Sequence, residues 1–192
     1  RDGRQLGALT GLEKLAVVGE GGRGALTYQP ADEAAAETGA LDLDALAAEA
    51  FDLLTGADGD HPVLERAGSG SGGARPKAHV WLSPDGEARL EPFTGATQWI
   101  VKFRGPSDPD DIGPLEVAYA GMAQAAGLEM ALVRLLPART GPGRFATQRF
   151  DRSDAGGRTH MVTLCGALEA PPGETALGYD QFLRATRAIT RN

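Results

Sequence analysis

The chain has 192 residues, of which 42% are hydrophobic and 23% charged, and its formal net charge is -7. This composition is typical of a globular protein, and no apolar run approaches the roughly 20 residues that span a bilayer. The acidic balance argues against bulk nucleic-acid binding, and a single cysteine excludes a disulfide framework. We therefore expect a cytoplasmic protein that binds neither a membrane nor nucleic acid directly.

The charges are unevenly distributed along the chain. Residues 24–65 contain ten acidic residues and no Lys or Arg, whereas residues 134–192 contain nine Arg and five acidic residues. The acidic stretch could be a solvated helix surface or a face that binds a partner. The sequence begins without a methionine and ends inside a predicted helix, so we expect it to be part of a longer protein.

The first elements are predicted to be a β-hairpin and a helix. Residues 14–19 and 24–30 are short β-prone runs around the glycine-rich sequence EGGR, which is typical of a hairpin. From Asp42 to Leu54 apolar residues recur with helical spacing, and Gly56 follows. The N-terminal region is therefore expected to combine a small sheet with one amphipathic helix.

The middle of the chain is predicted to have the element order β-β-β-α-β-β. Strands are expected at 77–82, 88–93 and 97–103, a helix at 113–126, and two further strands at 131–137 and 143–150. An apolar run at 160–168 follows, and a last helix begins near Tyr179. The three sequential strands before the helix indicate antiparallel pairing.

A glycine- and serine-rich loop at 68–73 precedes the first of these strands. It satisfies the pattern G-x-G-x-x-G, but a strand follows where a dinucleotide-binding fingerprint requires a helix. No Gly-Lys-Ser/Thr follows either, so it is not a Walker loop. It could be a linker, or a loop whose amides approach phosphate with help from Arg75 and Lys77.

Lys102 is a candidate binding residue because it ends an otherwise apolar strand, where an ammonium group needs an anionic partner. Glu116, fourteen positions later, is predicted to lie in the first turn of the next helix. Packing of that helix on the sheet could join the two side chains, although each could also serve only its own element. A glycine loop, a strand lysine and a helix glutamate together describe the nucleotide-binding lobe of a kinase.

Five segments resemble the HipA-like kinases, bacterial toxins of toxin-antitoxin pairs that phosphorylate Ser or Thr. They are GGARPKA (72–78), WIVKF (99–103), SDPDDIGPLEVAYAGMAQAAG (107–127), RFATQRFDR (144–152) and HMVTLCGAL (160–168). The early sequence GLEKLAVVGEGGRGALTYQP also resembles the family's N-terminal coupling segment. Their order and spacing cover nearly the whole chain, so together they are specific.

The resemblance implies a role for each matching residue. Lys102 would contact phosphate and pair with Glu116. The residues that would hold the ATP phosphates or form the adenine hinge are Gly72, Gly73, Ala74, Arg75, Pro76 and Lys77 for phosphate, and Gln148, Arg149 and Phe150 for the hinge. The family's regulatory phosphoserine position is Gly70 here, which leaves the flanking Ser69 and Ser71 as possible phosphosites. The resemblance also implies MgATP, a DNA-binding antitoxin partner and a protein substrate such as an aminoacyl-tRNA synthetase.

Part of the chemistry is expected to lie outside this sequence. Phosphoryl transfer also requires a catalytic-loop Asp, a metal-binding Asn and a second metal-binding Asp. Asn192 is the only Asn, and neither His-x-Asp nor Asp-Phe-Gly occurs. We therefore expect no catalytic or metal-binding residue here and an inactive fragment of a kinase. A non-catalytic interaction module and a lobe of a small-molecule kinase are the alternatives.

The fold predicted from these observations is an α/β (α+β) chain. Residues 1–60 would be a small β-hairpin and helix subdomain of the coupling type. Residues 61–150 would be a kinase-like N-lobe, with an antiparallel sheet plus one helix, and residues 151–192 would begin a truncated helical C-lobe.

Overall fold

The computed structural model describes residues 9–31, 39–56, 63–64, 67, 75–153, 156–170 and 178–191. The helices are α1 (Gly11–Val18), α2 (Leu43–Thr55), α3 (Ile112–Ala125), α4 (Leu164–Ala167) and α5 (Tyr179–Thr190). The strands are β1 (Lys77–Leu82), β2 (Ala88–Arg89), β3 (Thr97–Lys102), β4 (Val133–Leu136) and β5 (Arg144–Gln148). None of the helices in these ranges is long and apolar enough to cross a membrane.

The strands form one antiparallel sheet in the order β2-β1-β3-β5-β4. Burial alternates along β1, where Ala78, Val80 and Leu82 are buried and the residues between them are partly exposed. Successive side chains of a strand point to opposite faces, so one face meets the core and the other carries polar groups. The predicted α/β class with an antiparallel sheet and a helix is thus confirmed.

The core lies between α2 and the apolar face of the sheet. Leu46 and Ala50 of α2 are buried against residues such as Val101 and Phe103. The helix begins where the Asp42 carboxylate accepts hydrogen bonds from the N–H groups of Asp44 and Ala45, and it ends at Gly56 in the left-handed conformation. The predicted helical face of this segment is therefore the one that packs on the sheet.

The predicted N-terminal hairpin is wrong, because residues 11–18 form helix α1 and residues 24–30 form no strand. Thr10 and Glu13 make a capping box: the Thr10 hydroxyl accepts from the Glu13 N–H, and the Glu13 carboxylate accepts from the Thr10 N–H at 2.8 Å. Gly19, with φ of 49°, ends the helix. Helix capping therefore outweighs the β-propensity of the KLAVVG run.

Helix α3 packs on β4 and β5 through an unusually close contact. A Cβ on Gly113 would lie 2.3 Å from the Gly143 carbonyl oxygen, so only glycine fits there. The helix starts at Ile112, and Glu116 therefore lies beyond its first turn, contrary to the prediction. This shift matters because Glu116 faces the sheet and does not serve as a counter-charge to the helix N-terminus.

Candidate functional site

The site begins with two lysines on adjacent strands, which we call the lysine pair: Lys77 of β1 and Lys102 of β3. They are direct Cα partners in the antiparallel register, at the end of β3. Both lie on the sheet face opposite the core, because their neighbours Ala78 and Val101 are fully buried on the other side. Like charges placed directly opposite each other repel, so this arrangement needs anionic compensation.

Glu116 of α3 supplies part of that compensation. Its Oε2 lies 3.0 Å from Lys102 Nζ, and its Oε1 lies 3.2 Å from the same nitrogen. The ring of Phe145 lies 4.9 Å from Lys102 Nζ, close enough for a cation–π contact. The glutamate side chain is 17% exposed and the lysine 34% exposed, so the ammonium group remains accessible to solvent. The structure therefore brings together the two residues that the sequence suggested as partners.

Arg75 adds a third cation to the cluster. Its Nη1 lies 3.2 Å from Glu116 Oε1, and its Nε donates to both oxygens of Asp108 at 2.9 Å. Glu116 is thus shared between Arg75 and Lys102. Sequence reasoning missed Asp108, and the acidic run SDPDD gave no reason to select it from its neighbours.

The described part of the cluster contains the cations Arg75, Lys77 and Lys102 and the carboxylates of Asp108 and Glu116. Burial and the nearby charges of Lys102 and Arg23 lower the pKa of Lys77, which Glu116 only partly offsets. The hydrogen bond from Arg75 lowers the pKa of Asp108. Both carboxylates are therefore already committed to neighbouring cations.

A cavity of about 580 Å³ opens beside Lys102, between α2, the start of α3 and the β4–β5 turn. This volume is in the usual range of small-molecule sites. Three arginines in its lining are each paired with an aspartate: Arg104 with Asp110, Arg139 with Asp42 and Arg144 with Asp44. Two residues of the acidic stretch are therefore neutralised within the chain.

The predicted adenine hinge lies at the end of β5. Gln148 is the last strand residue, and its N–H donates to the Leu132 carbonyl at 2.8 Å. The N–H of Arg149 donates to the Gln98 carbonyl at 2.9 Å, and the Arg149 side chain is buried. Phe150 is 70% exposed. The hinge segment is thus positioned by the sheet, and of its three side chains that of Phe150 is the most accessible.

The side chain of Arg149 belongs to a buried network with Asp151 and Arg152, which we call the arginine clamp. Asp151 accepts from Arg149 Nη2 at 2.7 Å, from Arg152 Nη1 at 2.8 Å and from the Gly24 N–H at 2.7 Å. The same guanidinium groups donate to the Gly22 carbonyl. The clamp therefore holds the segment after α1 against the end of the sheet.

The electrostatics of the clamp differ from those of the lysine pair. Burial alone would raise the pKa of Asp151, but hydrogen bonds from Arg149 and Gly24 and the two arginine charges lower it to about 2. Close by, burial and the charge of Arg149 lower the pKa of His79 to about 4. His79 lies 3.4 Å through Nδ1 from the Gly21 carbonyl. Both groups thus keep one protonation state at neutral pH.

Several predicted site residues lie outside the described residues: Ser69, Gly70, Ser71, Gly72, Gly73 and Ala74. The described part of that segment begins at Arg75, and the Pro76 carbonyl accepts from the Phe103 N–H at 2.9 Å. Arg75 and Pro76 therefore lead into β1 directly beside the end of β3. Within the described ranges, no group of three or more His, Cys, Asp or Glu side chains could hold a metal ion.

Comparison with known proteins decides the family. A family model described as the HipA-like C-terminal domain matches residues 69–192, which is more than half of the chain. The chain belongs to the HipA-like family. The matched range contains every residue of this HipA-like chain that was assigned to the lysine pair, to its carboxylates or to the hinge. No curated protein and no solved structure matched the chain.

Proposed function

We propose that this HipA-like chain binds the phosphates of ATP at the lysine pair. The whole protein would then transfer the γ-phosphate to Ser or Thr of a protein substrate. Family membership supports this proposal, and so does the ion pair between Lys102 and Glu116, since protein kinases use a strand lysine held by a helix glutamate. MgATP would be the phosphate donor. A DNA-binding antitoxin and an aminoacyl-tRNA synthetase are the proposed partners.

One observation carries the proposal: Lys77 and Lys102 stand directly opposite each other on β1 and β3. Like charges placed directly opposite each other on neighbouring strands repel. An anion that bridges both ammonium groups would reduce that repulsion. The phosphates of a nucleotide have the required charge, and the backbone amides of a glycine-rich loop complement them.

We assign the remaining predicted residues to the same nucleotide. Gly72, Gly73, Ala74 and Pro76 would cradle phosphate through the loop backbone. Gln148, Arg149 and Phe150 would contact adenine through main-chain groups, because the Arg149 side chain is committed to the clamp. Ser69 and Ser71 would be possible phosphosites in the loop. The proposed domain boundaries at residues 60 and 150 place all of these residues in the kinase-like N-lobe.

The described residues provide no complete transfer machinery. The sequence contains no His-x-Asp or Asp-Phe-Gly, and its only Asn is Asn192. We expect the 192-residue chain to bind ATP without transferring its phosphate, and Mg²⁺ ligands are expected elsewhere in the protein. A binding measurement therefore tests the proposal, whereas an activity assay on this chain does not.

The test is a calorimetric titration of the 192-residue chain with ATP, comparing Lys102→Met with Lys14→Met. Loss of one charge-assisted contact to phosphate is expected to weaken binding at least about tenfold. Lys14 is exposed on α1, outside the cluster, and its substitution should change nothing. Thermal melting checks that Lys102→Met remains folded, since Arg75 still neutralises Glu116. Equal affinities for both variants, or no binding by the wild type, would refute the proposal.

The main alternative is a non-catalytic module whose acidic stretch docks a basic partner. Asp42 and Asp44, which belong to that stretch, are already paired with Arg139 and Arg144 of the same chain. This intramolecular pairing favours a structural role for that part of the stretch. The titration above also separates the alternatives, because a docking module has no reason to bind ATP through Lys102. A lobe of a small-molecule kinase would pass the same test and differ only in the phosphate acceptor.

A further inference from the structure

Residues 20–24, which we call the strap, follow α1 and lie against the end of the sheet that carries the predicted hinge. Main-chain carbonyls of the strap accept hydrogen bonds from three arginines. Arg158 donates to the carbonyl of residue 20 at 2.9 Å, and Arg149 and Arg152 donate to that of residue 22 at 2.8 and 2.6 Å. Arg152 also donates to the Gly24 carbonyl at 2.8 Å. Arginines at least 127 residues later in the chain therefore hold the strap.

The strap is attached to the hinge on both sides of Phe150, whose own side chain is exposed. Arg149 precedes Phe150 and Asp151 follows it, and each of these two residues is 3% exposed. The Arg149 guanidinium group donates to the Gly22 carbonyl, and the Asp151 carboxylate accepts from the Gly24 N–H at 2.7 Å. The main chain around Phe150 therefore has its position fixed by the strap.

The strap itself has a defined shape, so it can serve as a reference for the hinge. Gly24 has a φ of 74°, and a Cβ at this residue would lie 3.1 Å from the main-chain nitrogen of Met161. The Tyr28 N–H donates to the Gly19 carbonyl at 3.1 Å, which closes the chain around the strap. Glycine conformation and a main-chain bond thus fix the carbonyls that the arginines bind.

We propose that Arg152 is a positioning residue for the hinge: by binding the strap carbonyls it sets the affinity of the site for the adenine part of ATP, without touching the nucleotide. The inference rests on the proposed function. The Arg149 N–H donates to the Gln98 carbonyl near the start of β3, whereas Lys102 ends that strand. Four residues of strand separate the two points by roughly 13 Å. A shift of the hinge therefore changes contacts to the base and leaves phosphate contacts at Lys102 in place.

A role in stability alone makes a different prediction. Loss of Arg152 would then affect every ligand of the site equally, because only the folded fraction of the chain would change. Arg134 is the matched comparison, since it also joins distant segments by donating to two main-chain carbonyls, those of Ser83 at 3.0 Å and Pro84 at 2.8 Å. Its guanidinium group lies over the ring of Trp99, a core residue on the sheet face opposite Lys102. Arg134 thus resembles Arg152 in its bonds but contacts neither strap nor hinge.

The test compares ATP with inorganic tripolyphosphate, which lacks the base, on the 192-residue chain. Both affinities are measured by displacement of a ribose-labelled fluorescent ATP analogue. Arg152→Met should weaken ATP binding about fivefold and change tripolyphosphate binding less than about twofold. Arg134→Met should change neither affinity by more than about twofold. In Arg152→Met the Asp151 carboxylate keeps Arg149 and the Gly24 N–H as partners, so the chain should remain folded, which thermal melting checks.

The inference is overturned if Arg152→Met leaves ATP affinity unchanged, weakens both ligands by the same factor, or is matched by Arg134→Met. If Arg152→Met does not fold, Arg158→Met replaces it, because that substitution removes only contacts with Glu20 at the partly exposed edge of the strap, and it must show the same selective loss. Wild-type binding of tripolyphosphate as tight as that of ATP refutes the inference alone, since the hinge then adds nothing. Failure of tripolyphosphate to displace the analogue refutes the proposed function, and the inference with it.

Discussion

Two clusters of charged side chains lie at opposite ends of the strands, and they differ in how completely their charges are satisfied. In the arginine clamp, the side chains of Arg149 and Asp151 are 2% and 4% exposed. Asp151 accepts hydrogen bonds from two arginines and one backbone amide. At the lysine pair, Lys102 is 34% exposed, and its carboxylate partner Glu116 is 17% exposed.

The difference teaches which cluster is structural and which can bind a ligand. A buried charge network is tolerated when nearly every donor and acceptor is paired, and it then leaves no capacity for a ligand. A partly exposed cluster with like charges on neighbouring strands is poorly explained by stability, because exposed ion pairs contribute little and like charges repel. An arginine near the predicted adenine hinge therefore does not by itself indicate a side-chain contact with the nucleotide. The burial of its guanidinium group shows whether its role is structural.

The strongest test of this contrast is Asp151→Asn. The substitution leaves the buried guanidinium groups of Arg149 and Arg152 without their counter-charge. We expect the free energy of unfolding to fall by about 3 to 5 kcal/mol, as for other broken buried ion pairs. Urea denaturation followed by circular dichroism measures the loss. Asp180→Asn is the control, because Asp180 is 66% exposed and pairs with Arg184 on the surface of α5. A loss below about 1 kcal/mol would mean that the clamp is not structural.

A second test uses the pH dependence of stability near the clamp. The pKa of His79 is about 4 in the folded chain, against a reference value of 6.5, because of burial and the Arg149 charge. The unfolded chain therefore takes up a proton first as the pH falls from 6.5 to 4. The free energy of unfolding should therefore decrease by at most about 3 kcal/mol as the pH falls through this window. The whole contribution of neutral His79 is present above pH 7.

The measurement compares urea denaturation of the wild type and His79→Gln between pH 7 and pH 4. A control variant, His160→Gln, should keep the pH dependence of the wild type, because His160 is exposed. The contribution of Asp151 is lost only at lower pH, between about 4 and its folded pKa of about 2. Parallel pH profiles for wild type and His79→Gln would contradict the assignment of His79 as a buried neutral group.

The sequence predicted the sheet well because its strands have strong local signals. The alternation in β1 identifies its buried face, and the turn at residues 83–86 joins β1 to β2. Lys77 and Lys102 are partners through the pairing of β1 with β3. The N-terminal hairpin failed because β-propensity was weighed without the Thr10 to Glu13 capping signal, which was visible in the sequence. Strand β2 ends at Arg89, earlier than predicted, and only two of its residues pair with β1.

Within the candidate site, the sequence predicted a pair but not its surroundings. Lys102 and Glu116 could be joined by reasoning because a strand lysine in an apolar run needs an anion. The contact between Arg75 and Asp108 spans 33 residues and depends on how the loop after β3 folds back. The contact between Asp151 and Gly24 spans 127 residues, and no local pattern encodes it. Long-range contacts through loops are set by tertiary packing, which a single sequence does not display.

The smallest expected effect on the free energy of unfolding concerns the lysine pair. Lys77→Met removes one of two like charges that face each other across β1 and β3, and burial already lowers the pKa of Lys77. We expect the free energy of unfolding to change by less than about 0.5 kcal/mol, because relief of the repulsion offsets the lost contacts of Lys77, while ATP binding weakens. A substitution that weakens ATP binding without loss of stability identifies a residue retained for binding. Urea denaturation and the ATP titration, both repeated with Lys14→Met, measure the two effects. A loss of stability with unchanged ATP affinity would place Lys77 with the structural residues and would remove the contrast between the two clusters.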